Sequence, residues 1–500
     1  MSLAVTYSSA EVGTSAPEVV VEVHLSRGLP AFSIVGLPEI AVKESRDRVR
    51  GAIINCGFDF PQQRITVNLA PADLPKEGGR FDLPIAIGIL AASNQIPKTS
   101  IEKKVFLGEL ALSGALRGIR GSLIASISLR NTDMCLVLAL ENIEEATMVA
   151  DTQVYAVGSL SQLCAVLNGI EAFPSFCAKP PESSLTFLDI SDISGQSFAK
   201  KALELAAAGS HSMLMLGPPG TGKTMLASRL PGLLPEMTEE EALETAAIHC
   251  VTHQGFDPSH WRTRPFRTPH HSASGAALVG GGSNPKPGEI SRAHNGILFL
   301  DELPEFDGRT LELLREPMES GVIHIARASR QVSYKSDFLF IGASNPCKCG
   351  YYGDISGKCR CTIDQIQRYR SKISGPLLDR IDLHISVPRV SFQELSNKTE
   401  VSETSSTVKQ RVVEARDRQY QRQSKLNSQL TNTEIDKLCP LPKESRELLS
   451  RVMEHFQLSA RSYHRILKLA RTIADSKGEE KIRIPDLSLA IKLRNLDKAI

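Results

Sequence analysis

No stretch of this 500-residue chain approaches the roughly 18 consecutive apolar residues of a helical membrane span, so that class is excluded. The first residues, Met1-Ser2-Leu3-Ala4-Val5-Thr6, lack a basic region followed by an apolar run. No secretory signal is therefore expected, and the protein is expected to stay in the cytosol, with no membrane partner. Ten cysteines in that compartment are expected to be reduced, so clustered ones read as metal ligands before they read as disulfides. The net charge of +2 leaves every class of partner open. Its distribution says more: residues 401–500 hold 20 Lys+Arg against 13 Asp+Glu, an excess of seven that permits a polyanionic partner. No repeat at a solenoid period and no long low-complexity tract is visible. What remains is ordinary globular material, 41% hydrophobic and 23% charged, long enough for two to four domains.

Against that background one octapeptide stands out: Gly217-Pro218-Pro219-Gly220-Thr221-Gly222-Lys223-Thr224. It follows the apolar run Met213-Leu214-Met215-Leu216 and precedes a helical pattern starting at Met225. That is the strand–loop–helix setting of a phosphate-binding P-loop. The glycines let backbone N–H groups turn toward a β-phosphate. Lys223 is placed to reach the β- and γ-phosphates, and the Thr224 hydroxyl to ligate Mg²⁺. The following helix aims its positive end at the anion.

A second element answers the first. Gly296-Ile297-Leu298-Phe299-Leu300 is a continuous apolar run, the signature of a parallel strand buried on both faces, and it ends in Asp301-Glu302. Ligands of such sheets bind at the carboxyl ends of the strands. Asp301 is expected to hold Mg²⁺ through water, and Glu302 to polarise an attacking water. Together the two motifs predict hydrolysis of ATP.

Along the chain, residues 1–168 alternate β-rich runs (Val19–Leu25, Ile65–Leu69) with helical stretches (Val42–Ile54, Leu83–Ala92). Residues 169–184, with Pro174, Pro180 and Pro181, read as a linker. The nucleotide-binding core is expected over 185–398 and a helical remainder over 399–500, with a polar junction at Ser396–Thr407. That remainder contains a basic stretch from Val408 to Lys425 and an amphipathic helix from Ser459 to Ala474.

Four cysteines cluster inside the core. Cys347-Lys348-Cys349 and Cys359-Arg360-Cys361 form two CxC pairs within the fifteen positions 347–361. Four thiolates suit tetrahedral Zn²⁺, and Gly350, Gly353 and Gly357 allow a tight loop. Plain thiols, or two disulfides under oxidation, are the alternatives. The other six cysteines are isolated.

Three further segments carry a resemblance. Phe338-Leu339-Phe340-Ile341 leads into Gly342-Ala343-Ser344-Asn345-Pro346, which resembles sensor 1 of AAA+ ATPases. Leu377-Leu378-Asp379-Arg380-Ile381-Asp382 resembles their arginine-finger segment, and Ser459-Ala460-Arg461-Ser462-Tyr463-His464-Arg465 the start of a sensor 2 helix. The resemblance implies that Asn345 orients the attacking water, that Arg380 reaches the γ-phosphate of a neighbouring subunit, and that Arg461 acts on the phosphates from the lid. A guanidinium at either place would stabilise the charge spread over the equatorial oxygens. The plainer alternatives are that Arg380 pairs with Asp379 or Asp382 and that Arg461 caps a helix.

The stretches Phe266-Arg267-Thr268-Pro269-His270-His271-Ser272-Ala273-Ser274 and Gly280–Ile290 are similar to the Mg-chelatase-related branch of AAA+ proteins. Linked to the N-terminal part, they resemble the ComM (YifB-type) family over nearly the whole chain. The implied fold class is α/β: a Lon-protease-like N-terminal α+β domain (S5 domain 2-like), an AAA+ P-loop parallel-sheet core and a C-terminal helical lid of Mg-chelatase type. The implied activity is that of a homo-hexameric, ATP-driven DNA helicase promoting branch migration when transforming DNA is integrated by homologous recombination. Single-stranded or branched DNA would pass through the ring pore. Lon-type proteases carry a nucleophilic serine where this chain has Lys76-Glu77-Gly78-Gly79-Arg80-Phe81-Asp82-Leu83-Pro84-Ile85-Ala86, and no serine lies there. A non-proteolytic scaffold is therefore expected. Arg46, Arg48 and Arg50 read as a solvated helical face.

In this branch, insertions near the pore correspond to roughly Thr268–Glu289 and Ile325–Ser336, with Lys286, Arg327, Arg330 and Lys335 as candidate phosphate contacts. His270 and His271 lack a nearby Cys or acidic partner at zinc-finger spacing. Competing readings are a metal-chelatase motor subunit, an ATP-dependent protease and a protein-remodelling ATPase.

Overall fold

The computed structural model describes residues 2–36, 40–174, 176, 187–252, 255–282, 284–327, 330–354, 357–390 and 403–494. Most of the expected linker from residue 175 onward, the expected junction up to residue 402 and Cys177 lie outside the described residues. The chain divides into two compact units. One comprises Met1–Ser183 with Ala242–Trp261, and the other Ser184–Glu241 with Arg262–Ile500. Ala242–Trp261 thus belongs to the first compact unit, and the C-terminal helices to the same unit as Ser184–Glu241.

The first unit is built on a seven-stranded sheet. Its strands are β1 (Ser2–Ser9), β2 (Glu18–Ser26), β3 (Ala31–Val35), β4 (Arg64–Ala70), β5 (Lys104–Phe106), β6 (Cys135–Ala139) and β7 (Gln153–Val157), in the order β3-β4-β2-β1-β5-β6-β7. The β1–β2 and β2–β4 pairs are antiparallel and the remainder parallel. In β2, Val19, Val21, Val23 and Leu25 alternate with more exposed neighbours, the period-2 pattern of a half-buried strand. Against that face lies α2 (Asp82–Ala92), whose every residue is buried, as expected for a helix that is apolar on all sides after its first residue. Helix α1 (Ile40–Asn55) packs beside α2. Gly88 permits the approach of α2 to the sheet, since a Cβ there would lie 2.5 Å from Val23 Cγ2.

The stretch Lys76–Ala86 carries two ion pairs. Arg80, 7% exposed, binds Glu11 at 2.6 Å and the Arg120 carbonyl at 2.8 Å. Arg48 binds the buried Asp82 at 2.7 Å, so it is a structural cation rather than part of a solvated face. Burial raises the Asp82 carboxyl against the pull of Arg48.

The second unit centres on a parallel sheet of five strands: β8 (Met213–Leu216), β9 (Phe266–Arg267), β10 (Ile297–Leu300), β11 (Leu339–Ser344) and β12 (Leu383–Ser386), in the order β9-β10-β11-β8-β12. Every neighbouring pair is parallel. The register aligns Leu216 with Ser344 and Ser386, and Leu300 with Gly342. The carboxyl ends of β8, β10 and β11 therefore open at one edge, and P-loop, acidic pair and Asn345 follow there. Helix α3 (Ser197–Gly209) covers the sheet and receives the C-terminal helices α5 (Ser405–Gln423) and α7 (Ala460–Ser476). α4 (Lys223–Arg229) follows the P-loop, and α6 (Lys443–Phe456) and α8 (Ile484–Lys492) complete the C-terminal group. α5 begins inside the expected junction because Thr404 caps it, its side chain accepting from the Thr407 N–H.

A buried polar network ties sheet to lid. His211 faces Asp382 at 3.2 Å through Nδ1 and Thr472 at 2.7 Å through Nε2. Arg465 of α7 also binds Asp382. Burial opposes the charge on Asp382, yet Arg465 and His211 overcome it and hold the carboxyl far below its usual range. Among the described residues, no helix is long and apolar enough to cross a membrane.

Candidate nucleotide site

The P-loop turns between β8 and α4. Gly220 and Gly222 have φ of +77° and +85°, left-handed values that glycine adopts freely. A Cβ on Gly217 would lie 2.2 Å from the Val387 carbonyl oxygen, so only glycine fits against the chain leaving β12. Lys223 Nζ donates to the carbonyls of Gly217 (2.7 Å) and Pro218 (3.0 Å) and to Asn345 Oδ1 (3.2 Å). The lysine is therefore held over the loop by the residue at the end of β11. Burial lowers its pKa, while Asp301 and Glu302 oppose that shift.

Thr224 Oγ1 donates to Asp301 Oδ2 at 2.6 Å. A hydroxyl and a carboxylate facing each other across the carboxyl edge of the sheet are a donor set that fits Mg²⁺, a hard cation taking oxygen ligands. Thr224 and Asp301 would hold the ion, and it would neutralise charge on the phosphates. Glu302 sits at φ +50°, a left-handed conformation costing a non-glycine residue about 1–3 kcal/mol. Its N–H donates to Asp301 Oδ1 at 2.8 Å, and its half-exposed carboxylate lies 3.7 Å from His271 Nδ1.

Arg380 and Arg461 meet at one carboxylate. Glu319 takes Arg380 at 2.9 Å and Arg461 at 2.5 Å, and Arg380 also donates to the Pro376 carbonyl at 2.8 Å. Arg380 thus pairs with Glu319 rather than with Asp379 or Asp382, and the cap of α7 is Ser459 rather than Arg461. The Arg380 side chain is only 9% exposed.

The four clustered cysteines come together. Their Sγ atoms all lie within 4.8 Å of one another, with Cys347 buried and the others half-buried. Three separations are 3.3, 3.8 and 3.6 Å. Tetrahedral zinc with Zn–S bonds of about 2.3 Å needs sulfurs about 3.8 Å apart, so the quartet fits that ion. The Tyr351 N–H, joined by the Arg360 N–H and neighbouring thiols, pulls the Cys349 thiol down to about 6 against the effect of burial.

Comparison with known proteins decides the family. The chain is 49% identical over 499 residues to the competence protein ComM of Haemophilus influenzae, covering 99% of this chain and 98% of that protein. It is 47% identical over 502 residues to the uncharacterized protein YifB of Escherichia coli, covering 100% and 98%. The chain belongs to the ComM/YifB family. Within it, residues 189–395 match "Magnesium chelatase, subunit ChlI", residues 21–142 "Subunit ChlI of Mg-chelatase" and residues 402–494 "Magnesium chelatase, subunit ChlI C-terminal". A more distant likeness, 22% identity over 359 residues, covers 67% of the chain and 79% of the magnesium-chelatase subunit ChlI of Glycine max. The ComM/YifB chain is thus a Mg-chelatase-like AAA+ protein with a mixed α/β architecture, a parallel-sheet core and C-terminal helices.

The place of His271 beside Glu302, and Glu319 altogether, escaped sequence reasoning. His271 follows β9, the strand beside β10, so the sheet order brings it to Glu302; its ring lies against that of His270, tilted by 33° with centroids 4.1 Å apart. Glu319 lies within the short helix Pro317–Ser320, and no motif marks it. The expected insertions form two hairpins, Gly280–Gly281 with Lys286–Pro287 and Val322–Arg327 with Arg330–Lys335. The side chains of Arg327 and Arg330 lie outside the described residues. The hairpins interlock: Tyr334 OH donates to the Pro285 carbonyl at 2.8 Å, and a Cβ on Gly280 would lie 2.8 Å from Ile325 Cδ1.

Proposed function

We propose that this ComM/YifB protein is an ATP-hydrolysing motor that acts on DNA as a homo-hexameric ring, promoting branch migration during recombination of incoming DNA. In this reading Gly217–Thr224 cradle the phosphates and Lys223 neutralises them. Thr224 and Asp301 hold Mg²⁺, Glu302 acts on the attacking water, and Asn345 helps place it. Arg380 and Arg461 leave Glu319 to reach phosphates, Arg380 those of the adjoining subunit. The cysteine quartet is a zinc centre. The protein works in the cytoplasm.

One observation carries the reading: the interlocked hairpins are anchored at both halves of the hydrolytic machinery. The segment leading into the first hairpin contains His271, which faces Glu302. The second hairpin starts at Val322, three residues after Glu319, which holds both arginines. A strand pressing on the hairpins would therefore reach the acid and the arginines together. The relative's name, competence protein, is consistent with DNA as that strand.

The test is ATPase rate with and without single-stranded and forked DNA. Stimulation by DNA is expected, with binding that falls linearly on a log–log plot against salt and shows no base preference. Lys286→Ala with Lys335→Ala is expected to spare basal hydrolysis and abolish strand displacement. No DNA affinity at low salt and no stimulation would remove the helicase reading. The chelatase-subunit reading, favoured by the three family matches, would then lead.

A further inference from the structure

The cysteine quartet touches the P-loop at two points. On one side, Cys347 follows Asn345 and Pro346, and Asn345 Oδ1 accepts from Lys223 Nζ at 3.2 Å. On the other, Gly350 lies against Pro219: a Cβ on Gly350 would sit 2.6 Å from Pro219 Cδ. Gly350 is at φ +84°, and its N–H closes a turn on the Cys347 carbonyl at 2.9 Å. The rest of the loop is fastened from outside. Arg370 donates to the Pro346 carbonyl at 3.0 Å and stacks over Tyr352 at 5.1 Å. Arg389 pairs with Asp354 at 3.3 Å and covers Tyr351 at 5.3 Å. The segment from Asn345 to Asp354 thus grips the P-loop by its lysine and by its second proline.

We infer that the Cys347–Cys349–Cys359–Cys361 site binds one Zn²⁺ as a clamp on the P-loop, so that metal occupancy sets nucleotide affinity. This rests on reading Gly217–Thr224 as the nucleotide site. Zinc brings no redox chemistry here; it supplies a four-thiolate crosslink that a short, glycine-rich loop cannot provide by apolar packing. Without the crosslink, the two CxC pairs are joined only by residues 350–358, three of them glycines at positive φ. With the crosslink gone, the outer contacts of Arg370 and Arg389 leave Gly350 more backbone states, and few of them keep it on Pro219. A P-loop binds phosphate through backbone N–H groups whose directions depend on the loop's shape, so releasing Pro219 misdirects them.

The experiment uses the full chain in chelator-washed buffers. Elemental analysis is expected to give about one zinc per chain, the stoichiometry of a four-cysteine site. Cobalt replacing zinc is expected to show the visible bands of tetrahedral thiolate ligation. Removing the metal from wild-type protein with a thiol reagent and chelator, then restoring the thiols, is expected to weaken binding of a fluorescent ADP analogue about tenfold, a difference of about 1.4 kcal/mol. Added zinc is expected to restore it. Gly350→Ala is expected to keep the zinc and still weaken nucleotide binding. The inference is overturned by protein that purifies without metal and binds none. It is equally overturned by zinc-free, folded protein that binds nucleotide as tightly as the loaded form. Zinc-loaded wild type that binds no nucleotide would instead sink the reading of the P-loop.

Discussion

Glu319→Gln separates two roles for the carboxylate that holds Arg380 and Arg461. Both arginines are engaged within their own subunit, at 2.9 and 2.5 Å from Glu319. An arginine neutralised there is unavailable to a phosphate elsewhere, so reaching one costs the ion pair. Glu319 and Arg461 are 41% and 44% exposed, whereas Arg380 is 9% exposed. Pairs in such settings contribute about 0.2–1 kcal/mol each, and the two together about 1 kcal/mol, or about fivefold in population. Glutamine keeps an acceptor for the guanidinium groups and removes the charge. Basal ATPase of Glu319→Gln is therefore expected to rise about fivefold, with a matching fall in any stimulation by DNA, because release of the arginines is the step both share. The assay is steady-state turnover across a protein-concentration series, with a thermal melt to establish that the variant is folded. Turnover of folded Glu319→Gln at the level of Arg380→Ala would refute the reasoning and make Glu319 a residue that positions Arg380.

Lys223→Ala is expected to lose nucleotide binding, and Glu302→Gln to bind ATP while turning it over about 10²–10³-fold more slowly, checked by separate binding and turnover assays. Arg380→Ala is expected to bind ATP and hydrolyse poorly, and mixing it with Lys223→Ala protein is expected to restore part of the activity; no rescue at any ratio would count against action between subunits. Asp382→Asn leaves Arg465 facing a neutral group and is expected to cost about 3–5 kcal/mol in urea unfolding. Because the folded Asp382 carboxyl is held low, its contribution is present above the unfolded value of about 3.9 and fades as pH falls below it, so the gap between wild type and Asp382→Asn should narrow below about pH 4.

The amino-acid order by itself determined whatever is local in the chain. The P-loop is one octapeptide because a phosphate is cradled by consecutive backbone N–H groups, and its flanking strand and helix are read from adjacent residues. The buried strands Met213–Leu216 and Ile297–Leu300 were legible because a parallel strand covered on both faces must be apolar at every position. Spacing alone also picked out the four cysteines. Tertiary structure decided everything that depends on strand order and on contacts between distant segments. Asn345 meets Lys223 because β11 lies beside β8, and His271 meets Glu302 because β9 lies beside β10. Arg48 left its expected solvated face for the buried Asp82, a contact that the helix pattern around it does not encode. The meeting of Arg380 and Arg461 at Glu319 joins three segments spread over 142 residues, and Gly350 rests on Pro219 from another strand's end. Such contacts leave no periodic trace, since each residue satisfies its charge or fills its space with a partner that only the folded backbone brings near.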